Sequence, residues 1–287
     1  MGSVNEAALS VLAVSFYNEV YETGARNHER RLPGGGRVSE LRFFDCWCRV
    51  GPRSIVHPRS FHDTATLVGA MKYYGIAKAL AYHSFARENS PAQGNALLAE
   101  ELRAYPAIAP VWTVMPHHTG EFAEPDRLAP MMAAAGVRAV TMFPIEHEYV
   151  LSPWNAGALL RAIESGGFPL LLSLEQVTWD GLHDILERYP GLNVVMCGLH
   201  YAINRNIYAL LQEFPRLFLE TSGVMAHRGI EDVCARFGAR RLVFGSGMPV
   251  MAGGAAVSMV LYAAISEEEK AMIAHGNLER LLEGVQA

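Results

Sequence analysis

From residue 43 onward, short apolar runs alternate with stretches whose apolar residues fall at helical spacing. The runs are Phe43–Cys48, Ala77–Tyr82, Ile108–Val114, Val137–Phe143, Leu170–Leu174, Val194–Cys197, Leu217–Leu219 and Leu242–Phe244. Runs this short and continuous read as parallel strands buried on both faces. Helical patterns lie between them at Ala96–Ala104, Ala156–Glu164, Leu182–Tyr189, Ile207–Glu213 and Gly229–Phe237. Tyr189-Pro190-Gly191, Glu213-Phe214-Pro215 and Phe237-Gly238 punctuate helix ends before the next strand. Strand–helix alternation implies a parallel sheet, and eight strands imply closure into an α/β (β/α)8 TIM barrel. A last helix begins at Ser266, a good N-cap followed by Glu267, Glu268 and Glu269. Ahead of the barrel, Ala8, Leu12, Phe16 and Val20 predict an amphipathic helix over residues 4 to 25. The Gly-rich stretch 27–36 then reads as a linker. The expected organisation is an N-terminal helix and linker over 1–40 and a barrel over 41–287.

Composition narrows the function classes. The 287 residues are an ordinary length for one such barrel, and 51% hydrophobic content supplies its core. A net charge of -5 and a pI near 6.1 give no electrostatic reason to expect nucleic acid or an anionic membrane as partner. No signal peptide or membrane-spanning run is read, and Cys46, Cys48, Cys197 and Cys234 lie in apolar segments without C-x-x-C spacing. A reducing cytoplasm is the expected setting. Nucleophile-elbow, Walker A and dinucleotide-binding patterns are absent. The expected partner is a small molecule, with the N-terminal helix a candidate surface for a homo-oligomer.

Six segments carry a family resemblance. Phe44-Asp45-Cys46-Trp47-Cys48-Arg49-Val50-Gly51 resembles D-x-H-x-H-x-G, and Gly167–Ser173 resembles G-x-P-v-x-x-H. Tyr189–Gly198, Phe214–Gly223, Phe237–Gly247 and Gly276–Leu282 resemble the strand-six, strand-seven, strand-eight and closing-helix motifs. Together they span residues 42–283 and resemble the amidohydrolase superfamily, in its branch of metal-dependent hydrolases and decarboxylases. The resemblance implies a metal at the barrel mouth. Carried over residue by residue, however, its ligand positions fall on Trp47, Arg49, Ser173, Gly198 and Gly247. Catalytic zinc takes three protein donors from Cys, His and carboxylate, so the sequence expects no metal and no other cofactor.

Strand parity assigns Asp45, Trp47 and Arg49 to the barrel interior and turns Cys46 and Cys48 outward. Arg49 and Glu175 carry opposite charges at strand ends, and are expected to pair where the metal sat. In a catalytic reading Arg49 binds a carboxylate or oxyanion, Glu175 acts as base, and His200 serves as acid or base. In a structural reading the pair plugs an inactive mouth. Trp47, His83, Ser173, Glu220, Ser222, Met248 and Asp45 complete the expected ligand-binding wall. Three functions stay open: metal-free hydrolysis or a lyase step, non-catalytic binding, and a metal hydrolase with rebuilt ligands drawn from Glu175, His200 and His83.

Overall fold

The computed structural model describes residues 41–56 and 60–285, so the expected N-terminal helix and linker lie outside the described residues. Eight parallel strands follow in sequence order around one sheet: β1 (Phe43–Val50), β2 (Ile76–His83), β3 (Ile108–Thr113), β4 (Ala139–Thr141), β5 (Leu170–Ser173), β6 (Val194–Cys197), β7 (Leu217–Glu220) and β8 (Leu242–Val243). Main-chain bonds then join β1 to the end of β8. Cys46 N–H donates to the Phe244 carbonyl at 2.9 Å, Gly247 N–H to Trp47 at 3.1 Å and Arg49 N–H to Met248 at 2.9 Å. These bonds close the circle, and the expected TIM barrel is the fold.

Each of several helices starts where local chemistry supplies a cap. Asp63 accepts from Thr66 N–H at 2.8 Å to open Thr64–Tyr74, which Gly75 ends in the left-handed region at φ 76°. Ser90 caps Pro91–Leu102 with proline in the first turn, and Thr178 caps Trp179–Arg188. Ser266 and Glu269 form a reciprocal capping box at Glu267–Ala271. Of these starts only Ser266 is read from the sequence; the helices expected from Ala96 and Leu182 begin at Pro91 and Trp179, where the caps stand.

The barrel floor is apolar. Phe44, Leu80, Val111, Ala139, Leu171, Val195, Phe218 and Val243 fill the interior, and Leu278, Leu281 and Leu282 of the last helix (Asn277–Glu283) pack against them. Polar groups at this end are bound to the main chain. Asn277 Nδ2 donates to the Ala239 and Leu242 carbonyls at 2.8 and 2.7 Å, fixing the closing helix to the start of β8. The buried Arg241 guanidinium donates to the carbonyl of Leu211, left over in the last turn of the helix Asn204–Glu213, and to those of Phe214 and Pro215 just past its end.

One strand departs from the expected parity. The pairing of β1 with β2 slips between Asp45 and Cys48, as a bulge does. Cys46 consequently hydrogen-bonds Cys197 of β6, a strand that is not its neighbour in the sheet, so both thiols face the barrel interior. Cys48 faces the mouth. The expectation that Cys46 and Cys48 point outward assumes a regular strand, and the bulge removes that assumption.

Candidate functional site at the barrel mouth

The C-terminal ends of the strands surround a cavity of about 800 Å3. β1 contributes Trp47, Cys48 and Arg49, β2 contributes Tyr82, and β5 contributes Ser173. Gly198, Ser222 and Gly247 follow β6, β7 and β8 on the same wall. All five positions at which the resemblance places ligands therefore converge on one cavity. Trp47 and Tyr82 form an aromatic face, with ring centroids 5.0 Å apart. Met225, Met248 and Met251 add adaptable apolar lining.

Charge enters from connections that strand periodicity does not single out. The helix Ser84–Glu88, directly after β2, brings Arg87 and Glu88 to the cavity, and the segment after β4 brings Glu146. The expected Arg49–Glu175 pair does not form. Arg87 takes Glu175 instead, at 2.6 Å, while its Nε donates to Glu146 at 2.9 Å and its guanidinium lies 4.8 Å above the Phe143 ring. The competing guanidinium is what separates the expected partners. Arg49 faces Glu88 at 3.8 Å, beyond hydrogen-bond length. Burial alone would raise the Glu88 carboxyl, but the Ser54 N–H and hydroxyl, at 2.6 and 2.7 Å, together with Arg49 hold it below the usual carboxylate range. The Glu88 carboxylate thus has its donors, whereas Arg49, 8% exposed, has no acceptor for its Nε among the described residues.

Four expected site residues lie elsewhere. His200 is exposed, accepts from Ala202 N–H at 3.4 Å through Nδ1, and does not line the cavity. His83 is a helix cap whose Nδ1 accepts from Phe85 N–H at 3.1 Å, and burial lowers its pKa. Its ring lies where a Cβ on Gly51 would sit, which places it under the β1 loop and off the cavity wall. Asp45 is fully buried beneath the wall, with Oδ1 accepting from the N–H groups of Trp47 and Ser246 at 3.0 and 2.9 Å. It ties β1 to the loop after β8. Glu220 is likewise fully buried and stands behind the wall that Ser222 faces. Arg49, Glu175, Trp47, Ser173, Ser222 and Met248 do line the cavity. A rule of inspecting every charged residue within a few positions of a strand's C-terminal end finds Arg87, Glu88 and Glu146 from sequence alone.

The thiols are quiet. Burial pushes Cys46, Cys48 and Cys197 up, so all three remain neutral near pH 7. Among the described residues, three donors spaced for one metal ion occur together only at His183, Asp184 and Glu187, on the outer helix Trp179–Arg188 away from the cavity.

Comparison with known proteins adds family and fold. No curated protein sequence matches the chain. An uncharacterised TIM-barrel protein from Bordetella bronchiseptica superposes with a TM-score of 0.65 at 19% identity, covering 85% of this chain and 99% of that one. A 5-carboxyvanillate decarboxylase from Sphingomonas paucimobilis gives 0.65 at 16% identity over the same shares. The 5-carboxyvanillate decarboxylase from Novosphingobium aromaticivorans, complexed with manganese and 4-hydroxy-3-methoxy-5-nitrobenzoic acid, gives 0.67 at 15% identity, covering 87% of this chain and 97% of that one. At such identities these likenesses establish the barrel. The family model described as Amidohydrolase matches residues 46–284, which takes in every strand but the first residues of β1, and the chain belongs to that family.

Proposed function

We propose that this barrel binds a small organic carboxylate at its mouth, with the Arg49 guanidinium standing where the family holds a metal ion. A metal-free lyase or hydrolytic step on that carboxylate is the chemistry the site supports. The observation that carries the reading is Arg49 itself: a buried cation on the cavity wall, with Nε unpartnered and its ion pair stretched to 3.8 Å. Such a group gains a charge-assisted bond when an anion enters, and its planar fork matches a carboxylate. Trp47 and Tyr82 supply the apolar face that a carboxylate's carbon skeleton needs. The family neighbours whose names include aromatic-acid decarboxylases suit this class of ligand.

Among the described residues, the side chains at the family's ligand positions do not fit a divalent metal. An indole N–H and a guanidinium only donate, and two glycines offer nothing. The space has also been reassigned: a Cβ on Gly198 would meet Ser173 Oγ at 2.8 Å, and one on Gly247 would meet Met251 Cγ at 3.0 Å. Glu88, Glu146 and Glu175 each serve a guanidinium already.

Calorimetric titration with benzoate tests the reading, comparing the wild type with Arg49→Met. The wild type binds, and Arg49→Met loses about 10- to 100-fold, the worth of one charge-assisted contact. Equal affinity in both proteins would remove Arg49 from the site. Binding without turnover of any aromatic acid favours the non-catalytic alternative.

A further inference from the structure

Beside the cavity lies a carboxyl that the ligand reading does not use. Glu220 ends β7 with its side chain fully buried, and Ser222 reaches back to it twice. Ser222 N–H donates to Oε1, and Ser222 Oγ donates to Oε2 at 2.8 Å. The Gly198 N–H also faces the carboxylate and favours its ionised form. A Cβ on Gly245 would stand 2.4 Å from Glu220 Cγ, so a glycine on the neighbouring strand end is what admits the carboxyl. Ser222 and Gly198 face the cavity on one side and Glu220 on the other. A single hydroxyl therefore separates a buried acid from the space where a ligand sits.

Among the described residues, no cation is hydrogen-bonded or ion-paired to Glu220. The titratable groups bearing on Glu220 are Asp45, Cys46 and Cys48 from β1 and Cys197 from β6, and every one of them is neutral or negative. Asp45 Oδ2 is itself buried without a partner, and burial raises that carboxyl as well. Ionising both acids together places two like charges in one dry layer, which favours keeping a proton there. Burial pushes Glu220 up to about 7, so its proton is exchanged near neutral pH.

We propose that Glu220 is the proton store of the mouth, taking up a proton when an anion enters and passing it to the ligand through the Ser222 hydroxyl. When Glu220 holds the proton on Oε2 the hydrogen bond reverses, so that Oε2–H donates to Ser222 Oγ and the hydroxyl hydrogen turns to the ligand. Ser222 Oγ then gives its proton to the ligand as it receives the one from Oε2, leaving Glu220 ionised until solvent recharges it. An anion beside the wall adds negative charge near Glu220 and strengthens its hold on the proton. The reaction this serves rests on the carboxylate reading above, but the proton store does not.

Two measurements on the full chain separate the two ideas. In benzoate titrations repeated in buffers of different ionisation enthalpy at about pH 7.5, the wild type takes up about half a proton per ligand for a tenfold gain in proton affinity. Glu220→Gln takes up almost none. Uptake unchanged in Glu220→Gln overturns the proposal. If benzoate fails to bind, the carboxylate reading falls, and infrared titration still judges Glu220. A protonated-carboxyl band that fades between about pH 6 and about pH 8, and is missing in Glu220→Gln, upholds the store. The same band labelled with isotopic glutamate in the wild type serves if the variant does not fold, and a carboxyl already ionised at about pH 5 overturns the proposal. Ser222→Ala keeps the band but slows its hydrogen–deuterium exchange tenfold or more; unchanged exchange removes Ser222 as the route.

Discussion

Two buried arginines sit at opposite ends of this barrel, and their surroundings differ. Arg241, at the floor, is 9% exposed and donates to three backbone carbonyls in and just past the last turn of a helix. Arg49, at the mouth, is 8% exposed and among the described residues has only a stretched ion pair with Glu88. Nε lacks a partner in both, so the two differ at the terminal nitrogens: those of Arg241 are bound to main-chain carbonyls, whereas those of Arg49 make no hydrogen bond among the described residues. Burying a cation costs free energy that hydrogen bonds must offset. At the floor the main chain provides that offset permanently, which makes Arg241 part of the fold. At the mouth the offset is incomplete until a ligand supplies it.

The contrast between the two ends is tested most sharply at Arg241. Arg241→Met removes three hydrogen bonds to main-chain carbonyls, of which Phe214 alone keeps another donor in Leu217 N–H, and lowers unfolding stability by about 2 to 4 kcal/mol, read by denaturant titration. Arg49→Met lowers it by about 1 kcal/mol or less, since Glu88 keeps its two Ser54 donors. Equal losses would erase the distinction between floor and mouth. Next in size is Gly245→Ala, whose Cβ collides with the Glu220 side chain and costs about 1 to 3 kcal/mol by overpacking. The loss shrinks in a Glu220→Ala background, because the colliding atoms are gone.

Stability also acquires a pH dependence from the mouth. Glu220 holds its proton up to about 7 in the folded chain, against 4.5 for a free glutamate side chain. The folded state therefore binds more protons between those values, and stability falls as pH rises from about 4.5 to about 7. Glu220→Gln flattens that slope in thermal melts across the same range. The smallest effect belongs to the periphery: Ser266→Ala removes a capping box and costs about 1 kcal/mol, with no change in ligand affinity.

The floor is more legible in the sequence than the mouth. Strand order and the Ser266 cap follow from periodicity and local turn chemistry, which act over a few residues, whereas helix starts such as Pro91 and Trp179 precede the expected apolar spacing. The convergence of Trp47, Arg49, Ser173, Gly198 and Gly247 follows from strand ends in a barrel. The bulge in β1 is not visible there, because parity presupposes an even pleat, and so parity turns Cys46 the wrong way. Opposite charge alone misassigns the partners of Arg49 and Glu175, because Arg87, Glu88 and Glu146 arrive from connections after other strands. His83 and Glu220 look like rim residues by position, yet one caps a helix and the other lies behind Ser222. Distances between loops are set by packing, and sequence spacing does not encode them.

A guanidinium in the place of the family's metal ion is the claim on which the chemistry of the mouth depends. Mass-spectrometric metal content of the full chain, purified without chelators or an immobilised-metal column, tests it directly. Zinc, manganese and iron are each expected at less than about a tenth of an equivalent per chain, with Arg49-dependent benzoate binding intact in that same sample. A full equivalent of any of them, lost together with benzoate binding on chelation, would contradict it.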